Sequence, residues 1–229
     1  AELLIAKGSD VNVKTFYEKP TLIFALENGH KEIAELLISK GANYQLTDTE
    51  SKLIAQKVFH KSVNNLDVST AEEAIKSGAN IEEQWYTRYP IWDVAARKCT
   101  PGDVEMAKLL IQYGSDVNIM DKYRNVSALH EAAEYNNYQV AKMLLNNGAI
   151  VDIEDKDFYT PLMWASDHLN LETIEILINH GANVNATSKK DNATPLLFAV
   201  NSIIQKSKYN KIAVAKCLIK HGAKGNIPL

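Results

Sequence analysis

The chain has 229 residues, 46% hydrophobic and 23% charged, with a net charge of −3 and a pI of about 6.1. That balance excludes a long-range pull toward nucleic acid or acidic lipid. No run of about 18 apolar residues is present to cross a membrane as a helix.

The two cysteines, Cys99 and Cys217, lie far apart and outside any Cys/His metal spacing, so they read as free thiols in a reducing compartment. Sequons occur at Asn125, Asn185 and Asn192. They sit beside connections between repeated units, where a glycan would crowd its neighbours, and they read as chance matches. Both points favour an intracellular, cytoplasmic setting.

A Gly closing an apolar helical run recurs at Gly8, Gly41, Gly78, Gly114, Gly148, Gly181 and Gly222, at intervals of 33, 37, 36, 34, 33 and 41 residues. A period near that length marks a solenoid, in which each unit buries its apolar face against the next. The units are expected at about 1–15 (partial), 16–48, 49–84, 85–121, 122–155, 156–188 and 189–229, forming one domain over 1–229. The first opens at Ala1–Ile5 inside a second helix, and this uncapped start predicts a piece of a longer protein.

Pro20-Thr21-Leu22-Ile23-Phe24-Ala25 opens the next unit, and Gly41-Ala42-Asn43 closes it. The third unit is irregular. Leu53, Ile54, Ala55 and Val58 form its first helix, about four extra residues follow, and Ser69-x-x-Glu72 reads as a capping box for its second. Tyr89-Pro90-Ile91-Trp92 opens the fourth, with an insertion at Lys98–Pro101 that places Thr100 as N-cap and Pro101 as first helical residue. The remaining openings are Ser127-Ala128-Leu129-His130, Thr160-Pro161-Leu162-Met163-Trp164-Ala165 and Thr194-Pro195-Leu196-Leu197-Phe198-Ala199. About seven extra residues at Ser202–Tyr209 predict a longer first helix or a helix plus loop in the last unit.

These openings and the Gly-Ala-Asn-like closings resemble the ankyrin repeat, whose signature is T-P-L-H-x-A, two antiparallel helices and G-A-D/N-x-N. The match runs along nearly the whole chain. The resemblance implies an all-α ankyrin-repeat solenoid of stacked helix-turn-helix units joined by β-hairpin loops. It also implies that His130 braces a turn through backbone hydrogen bonds. Ile23, Trp92, Met163 and Leu197 in its place trade that brace for apolar packing.

No catalytic, metal or cofactor constellation is expected. Asp167 and His168 form the one pair with acid–base potential, but they have no nucleophile alongside. His30, His180 and His221 read as helix-end residues, and His60 has no evident partner. The resemblance implies binding through the concave groove and the hairpin tips. Groove positions, counted from each motif, are Glu27, Asn28, Ala96, Arg97, Glu134, Tyr135, Asp167, His168, Asn201 and Ser202. The set is polar and mildly acidic, suited to a segment with Lys or Arg and one or two apolar anchors. The tips carry Phe16, Tyr17, Trp85, Tyr86, Tyr123, Phe158 and Tyr159, either as binding anchors or packed on the next hairpin, with Phe158 in place of a turn Gly. Phe24, Trp92, Trp164 and Phe198 are assigned to the core side.

The expected function is recognition of a protein or peptide by a monomer, without catalysis, nucleic acid or membrane insertion. The rival is the targeting or substrate-recruiting portion of a larger enzyme. An abundance of Asn, Lys and Ile also suggests an AT-rich genome, and with it a secreted microbial effector working in a host cytosol.

Overall fold

In the computed structural model, residues 7–14, 19–42, 46–84, 88–202 and 208–225 are described. They form an all-α arrangement of paired helices, an ankyrin-type solenoid fold. The chain divides into two compact units, residues 1–81 and 82–229.

In the first unit, α1 (Thr21–Glu27) pairs with α2 (Lys31–Ser39), and α3 (Asp48–Asn65) with α4 (Val68–Lys76). Leu22, Ala25, Ala34 and Leu37 bury together between α1 and α2. Leu53, Ile54, Ala55 and Val58 form the first helix of the irregular repeat as expected, but extra residues do not separate it from the second. Thr47 and Glu50 form a reciprocal capping box, so α3 starts at Asp48 and runs 18 residues. The extra residues are absorbed into this helix, which ends at a left-handed Leu66. The capping box expected at Ser69 and Glu72 is also corrected. Asp67 caps α4 by accepting from the Thr70 N–H at 3.1 Å, two residues earlier. Gln56 meets His60 at 3.0 Å, so His60 has a buried partner.

The second unit holds α5 (Pro90–Ala95) with α6 (Pro101–Gln112), α7 (Ala128–Glu134) with α8 (Tyr138–Asn146), α9 (Pro161–Asp167) with α10 (Leu171–Asn179), and α11 (Pro195–Asn201) with α12 (Lys208–Lys220). Apolar positions at helical spacing put Val140 and Leu144 of α8, and Ile174 and Leu177 of α10, fully inside. Each such side chain contributes about 1.5–3 kcal/mol by leaving water. Thr100 and Pro101 take the expected cap and first-turn positions on α6. Of the two alternatives expected for the last repeat, the longer first helix is not found. Its first helix, α11, keeps seven residues, whereas α12 has 13 against nine in α8 and α10. Residues 203–207 of that insertion lie outside the described residues.

The hairpin loops are reduced to isolated bridges among the described residues, Lys14 with Pro20 and Met120 with Ser127. Side chains do much of the loop closure. Asp121 accepts from the N–H groups of Tyr123, Arg124 and Val126 at 2.9, 2.6 and 3.0 Å. Burial would raise its pKa, but these donors hold the carboxyl below its ordinary value.

Two side-chain ladders join successive repeats of the second unit. Four residues after each closing Gly, a polar side chain accepts from the backbone N–H two residues after the next closing Gly. Glu82 takes Asp116, Asn118 takes Ile150, Asp152 takes Asn183, and Asn185 takes Lys224. The second ladder is internal. Asn137, ahead of α8, donates to the Val94 carbonyl at 3.1 Å. Asn170, ahead of α10, donates to the carbonyls of Ala133 and Glu134 at 2.7 and 2.8 Å. Both amides are buried.

Replacing Asn170 with Ala leaves two carbonyls at the end of α7 without that donor. A loss of about 2–3 kcal/mol is expected, read as a lower urea midpoint. Asn179→Ala, an exposed Asn at the other end of α10, serves as control.

Candidate functional site

The first helices of the second unit present one face to a shallow groove, and the side chains there fall into two sets. The first is an ion network. Arg88 donates to Asp93 at 2.8 Å and to Glu131 at 2.9 Å, and Arg124 stands 4.0 Å from Glu131. Glu131 is 3% exposed. Burial raises its pKa against the pull of Arg88, while the guanidinium of Arg88 is held charged, its pKa raised by Glu131 and Asp93 despite burial. None of these three residues, Arg88, Glu131 or Arg124, was among the expected groove positions. Arg88 and Glu131 lie 43 residues apart, so no local pattern in the sequence pairs them.

The second set surrounds a depression of about 420 Å3 walled by Trp164, Phe198, Tyr159 and Met163, with Glu134, Asp167 and His168 on its lining. Trp164 is fixed there because its indole N–H donates to Asp155 at 3.0 Å. His130 meets it edge-on at 5.2 Å, and Phe198 meets Tyr159 edge-on at 5.0 Å. The core-side assignment of three aromatics is therefore corrected. Trp164 and Phe198 are half-buried and line the groove, and Phe24, at the same motif position, is 51% exposed. Trp92 alone is fully buried. Trp164, Phe198 and Phe24 all occupy the x of T-P-L-H-x-A, one residue past the buried His position, and that offset was the available signal.

The expected groove residues divide accordingly. Glu134, Asp167, His168 and Tyr159 are brought together around the depression. Tyr135, 46% exposed, adjoins Glu134, whose charge is the first cause of its raised pKa. Glu27 is consumed by the fold, lying between Lys19 and Lys57 at 2.6 and 3.2 Å. Burial would raise its pKa, yet those two lysines bring it down. Asn28 donates to the Phe24 carbonyl at 2.8 Å, and Arg97 donates to the Asp93 carbonyl at 3.2 Å. His168 Nδ1 sits 3.0 Å from the Trp164 carbonyl, and its Nε2 is 4.0 Å from Glu134.

The hairpin tips also divide. Tyr123 is 84% exposed and lines a second depression with Arg88, Arg124 and Lys122. Tyr159 donates its hydroxyl to Asp191 at 2.8 Å, and burial with that bond pushes its pKa to about 12. Phe158 takes the turn glycine's conformation with φ of 62°, and its ring stays partly exposed beneath Lys189 at 4.8 Å. Phe16, Tyr17, Trp85 and Tyr86 lie outside the described residues.

His130 behaves as the motif requires. The Ser127 N–H donates to Nδ1 at 3.3 Å, which leaves Nε2 to donate to the Tyr159 carbonyl at 3.1 Å. The substitutes for His130 keep more polarity than expected. The Trp92 indole N–H donates to the Ile119 carbonyl at 3.1 Å, and Met163 sulfur accepts from the Thr160 N–H at 3.5 Å.

A family model described as ankyrin repeats (3 copies) matches residues 59–157, 91–188 and 150–228. The chain belongs to the ankyrin repeat family. Repeats of this family are generally protein–protein interaction modules. Similar proteins include glp-1 of Caenorhabditis elegans, 26% identical over 69% of this chain and 13% of that protein. The fowlpox virus (strain NVSL) ankyrin repeat protein FPV014 is 31% identical over 65% of this chain and 32% of its own length. Inversin of Mus musculus is 25% identical over 73% of this chain and 12% of its own length. The chain thus spans a third or less of these relatives.

Burial lowers the pKa of His130 from 6.5 to about 4, against the bond to Tyr159 that raises it. The unfolded chain takes up this proton below about pH 6.5 and the ankyrin fold only near pH 4. Stability from this site is therefore complete above pH 6.5 and declines as pH falls toward 4, by about 3 kcal/mol in all. Urea midpoints at pH 7 and pH 4.5 should differ more for the wild type than for His130→Gln, which has no imidazole to charge.

Proposed function

We propose that this ankyrin chain recognises an extended segment of a partner protein through the groove face of residues 82–229 and the adjoining loop tips, with no chemistry of its own. The supporting observation is a division of labour among polar groups. Those that hold the fold, such as Asp121, Asn137, Asn170 and His130, are buried and bonded to backbone. The groove-face set comes from successive repeats: exposed Tyr123 and half-buried Glu134, Asp167 and His168 line open depressions, and exposed Tyr135 adjoins Glu134. Aromatic and charged groups spaced one repeat apart match the extended backbone of a peptide, and such aromatics carry much of the energy at protein interfaces.

Arg97 contributes to this reading as a rim group whose main bond serves the scaffold, and Glu27 and Asn28 of the first unit remain candidate binding positions from the sequence pattern. Phe16, Tyr17, Trp85 and Tyr86 remain candidate tip anchors from the sequence pattern. A recruiting role within a longer polypeptide is the second reading, favoured by the small share of each relative that this chain spans.

The test is a double substitution, Tyr123→Ala with Tyr135→Ala. Both side chains are exposed, so the thermal midpoint should stay within about 1 °C. Affinity for a partner captured from extract should fall at least about tenfold, as expected for loss of interface aromatics. Unchanged affinity would place the partner elsewhere on the chain.

A further inference from the structure

We infer that the depression between Trp164 and Phe198 is a subsite for one arginine side chain of the partner segment. The inference rests on the recognition reading above and adds the chemistry of the anchor.

The walls supply what a guanidinium needs and an aliphatic side chain does not. Trp164, Phe198 and Tyr159 give aromatic surface, and a planar delocalised cation stacks on such surface or is drawn to its face. The rings are locked in place by the Trp164 to Asp155 bond and by the two edge-on ring pairs. A ligand entering therefore finds the surface already ordered, which removes an entropic cost of binding. Two carboxylates, Glu134 and Asp167, belong to the same lining. Among the described residues the Asp167 carboxylate makes no ion pair, and no Lys or Arg stands within 4.0 Å of Glu134, whose neighbour at that distance is the His168 ring. Arg124 and Lys156 are the Arg and Lys side chains on the lining. Arg124 is turned to Asp121 and Glu131 at 3.9 and 4.0 Å, and Lys156 is exposed. Asp157 is neutralised by Lys190 at 3.0 Å. A guanidinium between Glu134 and Asp167 can fork its N–H groups to both while its plane lies on the indole. A lysine ammonium lacks that plane, and the volume of about 420 Å3 exceeds what its single charged tip fills.

The experiment is selection of peptides from a random library on the intact chain, followed by binding measurements on the selected peptides. The expected result is a shared arginine whose replacement by citrulline weakens binding at least tenfold, with a similar loss for the protein variant Glu134→Gln with Asp167→Asn. That variant is nearly isosteric, and its thermal midpoint is measured alongside. Replacement of the arginine by lysine should cost several-fold. Peptides that bind this face, as judged by loss of binding to Tyr135→Arg, yet contain no arginine or tolerate citrulline, overturn the arginine subsite and leave the recognition reading standing. Peptides insensitive to both protein variants overturn the two together.

Discussion

The fold in residues 82–229 depends on one kind of interaction, a side chain of one repeat bonded to the backbone of the next. A repeat of two short helices cannot bury its own apolar faces, and contact between apolar faces alone permits sliding. The amides of Asn137 and Asn170 remove that freedom because they reach carbonyls at the end of the preceding first helix. The outer ladder from Glu82, Asn118, Asp152 and Asn185 does the same at the closing turns. Hydrogen bonds are directional where apolar contact is not, so register is set by these few groups and stability by the core around them.

The same register produces the groove. Each first helix is held at a fixed offset from its neighbour, so the side chain one past the buried His position falls on one shared surface. Glu131, Trp164 and Phe198 occupy that position in three successive repeats. Their chemistry changes from a buried carboxylate held by Arg88 to aromatic walls, so the face is basic and ion-paired at one end and aromatic and acidic further along. A partner with uniform charge would suit only part of it.

Much of this was legible from residues alone, and the reasons differ by element. The closing glycines were readable because the turn needs positive φ, and all seven have it, between 88° and 96°. Thr100, Thr160 and Thr194 were readable as helix starts because a hydroxyl before Pro satisfies a free N–H. The start of α3 was not, because its Thr47 and Glu50 box falls in what looks like the preceding connection. Asp67 lost to Ser69 as the expected cap because both residue types suit the role and only the backbone chooses. The groove aromatics were missed for a different reason. Hydrophobicity says that a Trp or Phe prefers to leave water, and it does not say whether another repeat or a partner will cover it.

The ladders connect neighbours, the outer one from the closing turns and the inner one from the last residue before each second helix, at Asn137 and Asn170. In the repeat holding α5 and α6 the additional residues around Cys99 sit in the turn between those two helices, and the clamps on either side, at Glu82 and at Asn137, keep their partners. Length variation is thereby quarantined: a lineage can lengthen or reshape one repeat's inner bend, and with it the contour offered to a visitor, while the stacking of every other module stays in step.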